Sequence, residues 1–348
     1  MNMQLAPDYR EIMAAGSDAI ALRSGVKPRA SHPLADRISM KQIAHACGLA
    51  ARGISVTDDR AIQAVGMRSM DFSRVLATGV RPATIAAYLG AAEHLAYTTR
   101  IDVKKFLPEP VGAVERGAWL EPLGEASEIR QGVISLMSLS DAERQEEVVM
   151  AQIASYGRAM LVTRYLVVSD MVEAIVRSFT EMGASAGRIE GRLVAQALES
   201  NKPLGDGVAP FGGPYGNVIS EALSAGALGS AMSALRQQKS ADGQPLGWRP
   251  HHLVVGADLE MQASTLVKES GVNLQVTANS WLPTARWYVM ADPALCPVLA
   301  VLRLGGAEVP IRVEERTPPL EYDGAGAHVV ADLGACLLRR TGIVRGGV

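Results

Sequence analysis

The sequence is poor in cysteine and in aromatic residues, carries almost no excess charge of either sign, and has no long apolar run. Its three cysteines, Cys47, Cys296 and Cys336, form neither a C-x-x-C pair nor the even, closely spaced set of a disulfide scaffold, so a reducing compartment is expected. Against 36 Asp+Glu stand 34 Lys+Arg, a net charge of −2, which excludes a dedicated nucleic-acid binder relying on surplus cations. The most apolar stretch, Val148–Val168, is interrupted by Gln152, Arg158 and Arg164. It therefore falls short of the roughly 18 apolar residues of a membrane helix, and a soluble chain is expected. At the N-terminus, Asp8 and Glu11 stand where a signal peptide would be basic and then apolar, so export by that route is not expected.

What is present is a chain of 348 residues, 48 % hydrophobic and 20 % charged, a composition that excludes disorder. At about 150 residues per domain the length suggests roughly two domains. A mean hydropathy of +0.11 hints that some apolar surface is covered by other chains. Residues 1–95 read as short, Ala-rich helices broken by glycine and proline, lacking the large side chains for a core of their own and suited to lie as an arm on a neighbour. From Tyr97 the period becomes two, a strand. A β-rich stretch recurs at Val148–Val168, and the glycine- and proline-rich residues between suggest a long projecting hairpin. Val172, Ile175, Val176, Phe179, Met182, Ala186, Ile189, Leu193 and Ala197 then mark one stripe of a long helix reaching Ser200. Beyond a glycine-rich segment at 204–217, expected to be a mobile loop, helices and strands mix as in an α+β fold.

The most catalytic-looking string is Gly183-Ala184-Ser185-Ala186-Gly187, which matches the G-x-S-x-G elbow of serine hydrolases. That motif needs a strand-to-helix turn, whereas here the helical spacing continues on both sides, favouring small residues at a helix contact. The glycines at 205–216 lack the G-x-x-x-x-G-K-[ST] pattern of a phosphate loop. The six histidines include His45 beside Cys47 and the adjacent His251 and His252. Neither pair has a partner at zinc-ligand spacing, and adjacent strand residues point to opposite faces. Arg339, Arg340 and Arg345 read as a solvated surface. No catalytic group, metal site or cofactor is expected.

The strings GDGVAPFGGPYGN, ALGSAMSALRQQKSADGQPLGWRPHHLVVGADLEMQASTLVKES, ARWYVMADP, GGAEVPIRVEE and VADLGACLLRRTG occur in an order that resembles the major head protein family of tailed phages related to phage Mu. Upstream, SMDFSRVLATGV, YTTRIDVKKF, PLGEASEI, YGRAMLVTRYLVVSD and GRIEGRLVAQALESN extend the resemblance from about Ser31 onward. It implies an α+β, HK-97-type capsid fold: an N-terminal arm at 1–95, an extended hairpin loop with its supporting strands at 96–163, a spine helix at 164–204, an axial domain at 205–305, and peripheral-domain strands returning to the axial domain at 306–348. It further implies a virion capsid assembled in the bacterial host cytoplasm, built of many copies as hexamers and pentamers around double-stranded DNA contacted weakly and without sequence specificity. A portal protein would be a partner, with any scaffold, protease or decoration protein separate, and no membrane. Arg100, Lys104 and Lys105 on the hairpin strand, and Glu125 and Glu128 across its tip, are candidates for intersubunit ion pairs. The alternatives are a capsid-fold nanocompartment enclosing protein cargo and a serine hydrolase using Ser185.

Overall fold

The computed structural model describes residues 9–26, 31–51, 58–112, 148–212, 215–240, 243–316 and 323–347. The chain divides into two compact units, the first comprising residues 1–92, 155–189 and 309–332, the second 93–154, 190–308 and 333–348.

The first unit begins with helices α1 (Tyr9–Arg23), α2 (Met40–Ala50), α3 (Asp59–Met67) and α4 (Met70–Ala91). Polar caps start three of them: Ser39 and Gln42 form a capping box on α2, Asp58 accepts from the Ala61 amide, and Ser69 accepts from the Phe72 amide. The expectation of an arm without its own core is corrected here, because these helices pack on one another. Backbone proximity replaces side-chain bulk. A Cβ on Gly48 would collide with the Ile62 carbonyl oxygen, one on Gly66 with that of Ala44, and one on Gly79 would lie 2.6 Å from Ile20 Cβ. Ile20, Met40, Ile43, Phe72 and Leu76 fill what remains, each at most 1 % exposed.

Helix α4 packs on β10 (Ile311–Arg316), which pairs antiparallel with β11 (Gly324–Leu333); β4 (Ala154–Thr163) completes that sheet as an edge strand. The short α5 (Arg164–Val168) follows β4, and α6 runs over Val172–Glu199, confirming the helix that the apolar stripe marks. At 1.5 Å per residue it is about 42 Å long. Between α5 and α6, Asp170 takes a left-handed φ of 51° while its carboxylate accepts from Arg23 Nη1 at 2.9 Å and from the Met40 amide at 2.7 Å.

In the second unit a five-stranded sheet has the order β5 (Val218–Ile219), β13 (Ile343–Gly346), β8 (Trp287–Ala291), β6 (Pro250–Val255), β7 (Gln275–Ala278). β8 is buried along its whole length: Trp287 and Val289 face a cluster with Leu228 and Leu235 of α7 (Ala225–Gln237) and Ala263 of α8 (Glu260–Ser270), while Tyr288 and Met290 face Val194 and Leu198. Burying such a side chain contributes about 1.5–3 kcal/mol. β1 (Thr99–Val103) does not pair with residues 154–163, as a simple hairpin would have it. It runs parallel to β9 (Leu299–Leu304), which pairs on its other side with β12 (Ala335–Leu337). The hairpin stem is instead the ribbon of β2 (Glu109–Gly112) and β3 (Val148–Ala151). Its Val111 and Ala151 pack on Val103, Leu302 and Leu338, an apolar face that ties the stem to the β1–β9 sheet.

Candidate functional site

Three of the five residues expected at contacts between subunits lie on or beside β1. Arg100, Lys104 and Lys105 are exposed, and none has an ion-pair partner among the described residues. The Lys104 amide donates to Glu109 Oε2 at 3.0 Å, fixing the bend between β1 and β2 while leaving both lysine side chains in solvent. Beside them Leu107 is 67 %, Met150 61 % and Phe106 45 % exposed. The stem base thus combines cations with large uncovered apolar side chains. Glu125 and Glu128 lie outside the described residues.

Ser185 sits inside α6, away from any strand-to-helix turn. A Cβ on Gly183 would collide with the Thr84 carbonyl oxygen of α4, and one on Gly187 would stand 2.9 Å from that of Tyr88, so the small residues of this string serve helix contact. A groove of about 740 Å³ beside Ser185 is lined by Tyr156, Arg158 and Met160 of β4 and by Glu181, Met182 and Arg188 of α6. Among the described residues that line it there is no histidine, cysteine or aspartate. Among the described residues there is no group of three or more His, Cys, Asp or Glu side chains able to hold a metal ion.

The described residues of the glycine-rich segment are anchored rather than free. Asn201 Oδ1 accepts from the Phe211 amide at 2.9 Å, Asn217 Nδ2 donates to the Pro210 carbonyl at 2.8 Å, and Arg340 bridges Asp206 at 2.5 Å and the Tyr215 hydroxyl at 2.8 Å. Arg345 lies 4.8 Å from the Phe211 ring centroid. The C-terminal arginines therefore turn inward. Arg339 is 9 % exposed, which replaces the expectation of a solvated basic surface.

Sequence reasoning missed a buried charged cluster in the second unit. Glu190 accepts from Arg303 Nη1 at 2.5 Å and lies 2.9 Å from His94 Nε2; the three residues are 0 %, 1 % and 3 % exposed. Burial alone would raise the Glu190 pKa, but the His94 hydrogen bond and the Arg303 charge outweigh it and hold the carboxyl below its usual range. One signal was readable: Glu190 stands four residues from both Ala186 and Val194, on the buried side of α6.

The described residues thus combine an anchored loop backbone, a buried ionic strut and an uncovered apolar and cationic stem. The phage capsid protein family matches residues 146–346, more than half of the chain, and the protein belongs to that family. No curated protein matches it by sequence. Among solved structures it is similar to a virus-like particle from Pyrococcus furiosus, with 14 % identity, 76 % of this chain and 96 % of that chain covered and a TM-score of 0.47. It is also similar to the holo-SrpI encapsulin complex from Synechococcus elongatus PCC 7942, at 9 % identity, 75 % and 86 % coverage and a TM-score of 0.46. A third likeness is to the satellite phage P4 procapsid including size determination (Sid) protein, at 8 % identity, 77 % and 90 % coverage and a TM-score of 0.43.

Proposed function

We propose that the chain is the major subunit of a tailed-phage head or prophage-derived particle, an HK-97-type protein that closes in hexamers and pentamers into an icosahedral shell around packaged double-stranded DNA. The family match over residues 146–346 carries this reading. Its role is structural rather than enzymatic, in keeping with a Ser185 held inside a helix. The stem supplies assembly contacts: Phe106, Leu107 and Met150 gain burial against a neighbouring copy, and Arg100, Lys104 and Lys105 meet acidic side chains there, with Glu125 and Glu128 as candidates. A net charge of −2 suits a shell that must release its grip on DNA during packaging.

Light scattering and electron microscopy of the untagged protein, expressed with its neighbouring phage genes, test the proposal. Closed shells or capsomer rings are expected, and a monomer or dimer that never assembles overturns it. Shells that enclose protein and no DNA would establish a nanocompartment instead. The variant K104E/K105E should keep its unfolding temperature, because both side chains are exposed, while losing closed shells; normal assembly would remove the stem from the contact.

A further inference from the structure

His251 and His252 stand near the start of β6, between β8 and β7. Pro250 pairs with Ala291 and His252 with Met290, so His251 is an extra residue on its strand, a β-bulge. Regular alternation would send the two imidazoles to opposite faces; with the bulge they meet edge-on, ring centroids 4.7 Å apart. His252 is 2 % exposed, and its Nδ1 has no hydrogen-bond partner among the described residues. The Tyr97 ring lies 6.4 Å away. Opposite His252 on the flanking strands stand Met290 and Gln275, which carry no charge. Asp292, just after β8, is the carboxylate that acts on it.

We propose that the His251–His252 bulge is an acid-sensitive latch on the five-stranded sheet: neutral, the two rings pack together, and doubly protonated they set two cations against each other beside a nearly buried ring, loosening β6 from β8. The device belongs to the subunit itself and does not depend on the shell reading. Burial, and then the charge of His251, lower the His252 pKa from 6.5 to about 4, with Asp292 opposing. The folded value lies below the unfolded one, so stability is complete above pH 6.5 and is lost as pH falls from there toward 4. The unfolding equilibrium constant should rise about 20-fold between pH 7 and pH 5, and about 100-fold by pH 4, from this group.

Denaturant unfolding of the full chain as unassembled subunit, compared at pH 7, 6, 5 and 4.5 for wild type, His252→Gln and His251→Gln, tests the latch. Groups outside the bulge are the same in all three and cancel. Between pH 7 and 5 the unfolding equilibrium constant of wild type should rise about 20-fold more than that of His252→Gln, with His251→Gln intermediate. Parallel profiles overturn the proposal. NMR of histidine-labelled wild type needs no variant: the His252 ring should titrate near 4, and titration at its ordinary 6.5 refutes the latch.

Discussion

Replacing Gly183 by alanine adds one carbon at the tightest point between α4 and α6 within the first unit. The new Cβ would overlap the Thr84 carbonyl oxygen and stand 2.9 Å from its carbonyl carbon and 3.2 Å from its Cα. None of these atoms can rotate aside. Thr84 is fully buried, with Oγ1 donating to the Val80 carbonyl at 2.9 Å, so α4 must move as a body. Overpacking of this kind costs about 1–3 kcal/mol, against which better helix propensity returns about 0.5–1 kcal/mol. At about 2–4 °C per kcal/mol, G183A should lower the unfolding temperature by several degrees in calorimetry of the unassembled subunit. Gly229 in α7 is the control: a Cβ there meets nothing within 4 Å, so G229A should gain about 0.5–1 kcal/mol. A G183A protein as stable as G229A would refute the backbone contact.

Glu190→Gln strands the buried Arg303 guanidinium without its counter-charge and should cost about 3–5 kcal/mol in denaturant unfolding at pH 7. The carboxyl pKa is lowered by folding, so its contribution is present above the ordinary carboxylate value of 4.5 and lost as pH falls through the folded one; the gap to wild type should narrow in acid. Cys47 and Cys336 are buried, with thiol pKa values raised to about 12 chiefly by desolvation, and Cys296 is 0 % exposed. Ellman's reagent should therefore find no fast-reacting thiol among them at pH 8 until the chain unfolds. A fluorophosphonate probe should leave Ser185 unlabelled, and labelling abolished by Ser185→Ala would reinstate the hydrolase.

Strands of the second half such as β8 and β9 were legible because they are short, continuously buried apolar runs, and the long helix because its burial follows one period. Even there the stripe shifts: Leu193 and Ala197 belong to it in sequence, whereas the structure buries Val194, Ala195 and Leu198 most deeply, as 3.6-residue geometry drifts over a long helix. The packed N-terminal helices were not legible, because contacts such as Gly66 against the Ala44 carbonyl depend on missing side chains and leave no apolar pattern. Nor was the partner of β1, which lies some 200 residues along the chain. The meeting of His251 and His252 was hidden for another reason: alternation forbids it, and only a bulge, invisible in composition, brings it about.

The placement of β13 bears on how this protein is made. Ile343–Gly346 lies between β5 and β8, in the interior of the five-stranded sheet, although it is synthesised after both. At roughly 5–20 residues per second, β1 waits about 10–40 s for β9, and β5 and β8 wait for β13 with facing edges open. A chain cut short before Ile343 can never close that gap. The sheet thus closes only once residues 343–346 have left the ribosome, and until then two facing strand edges stay open to mispairing.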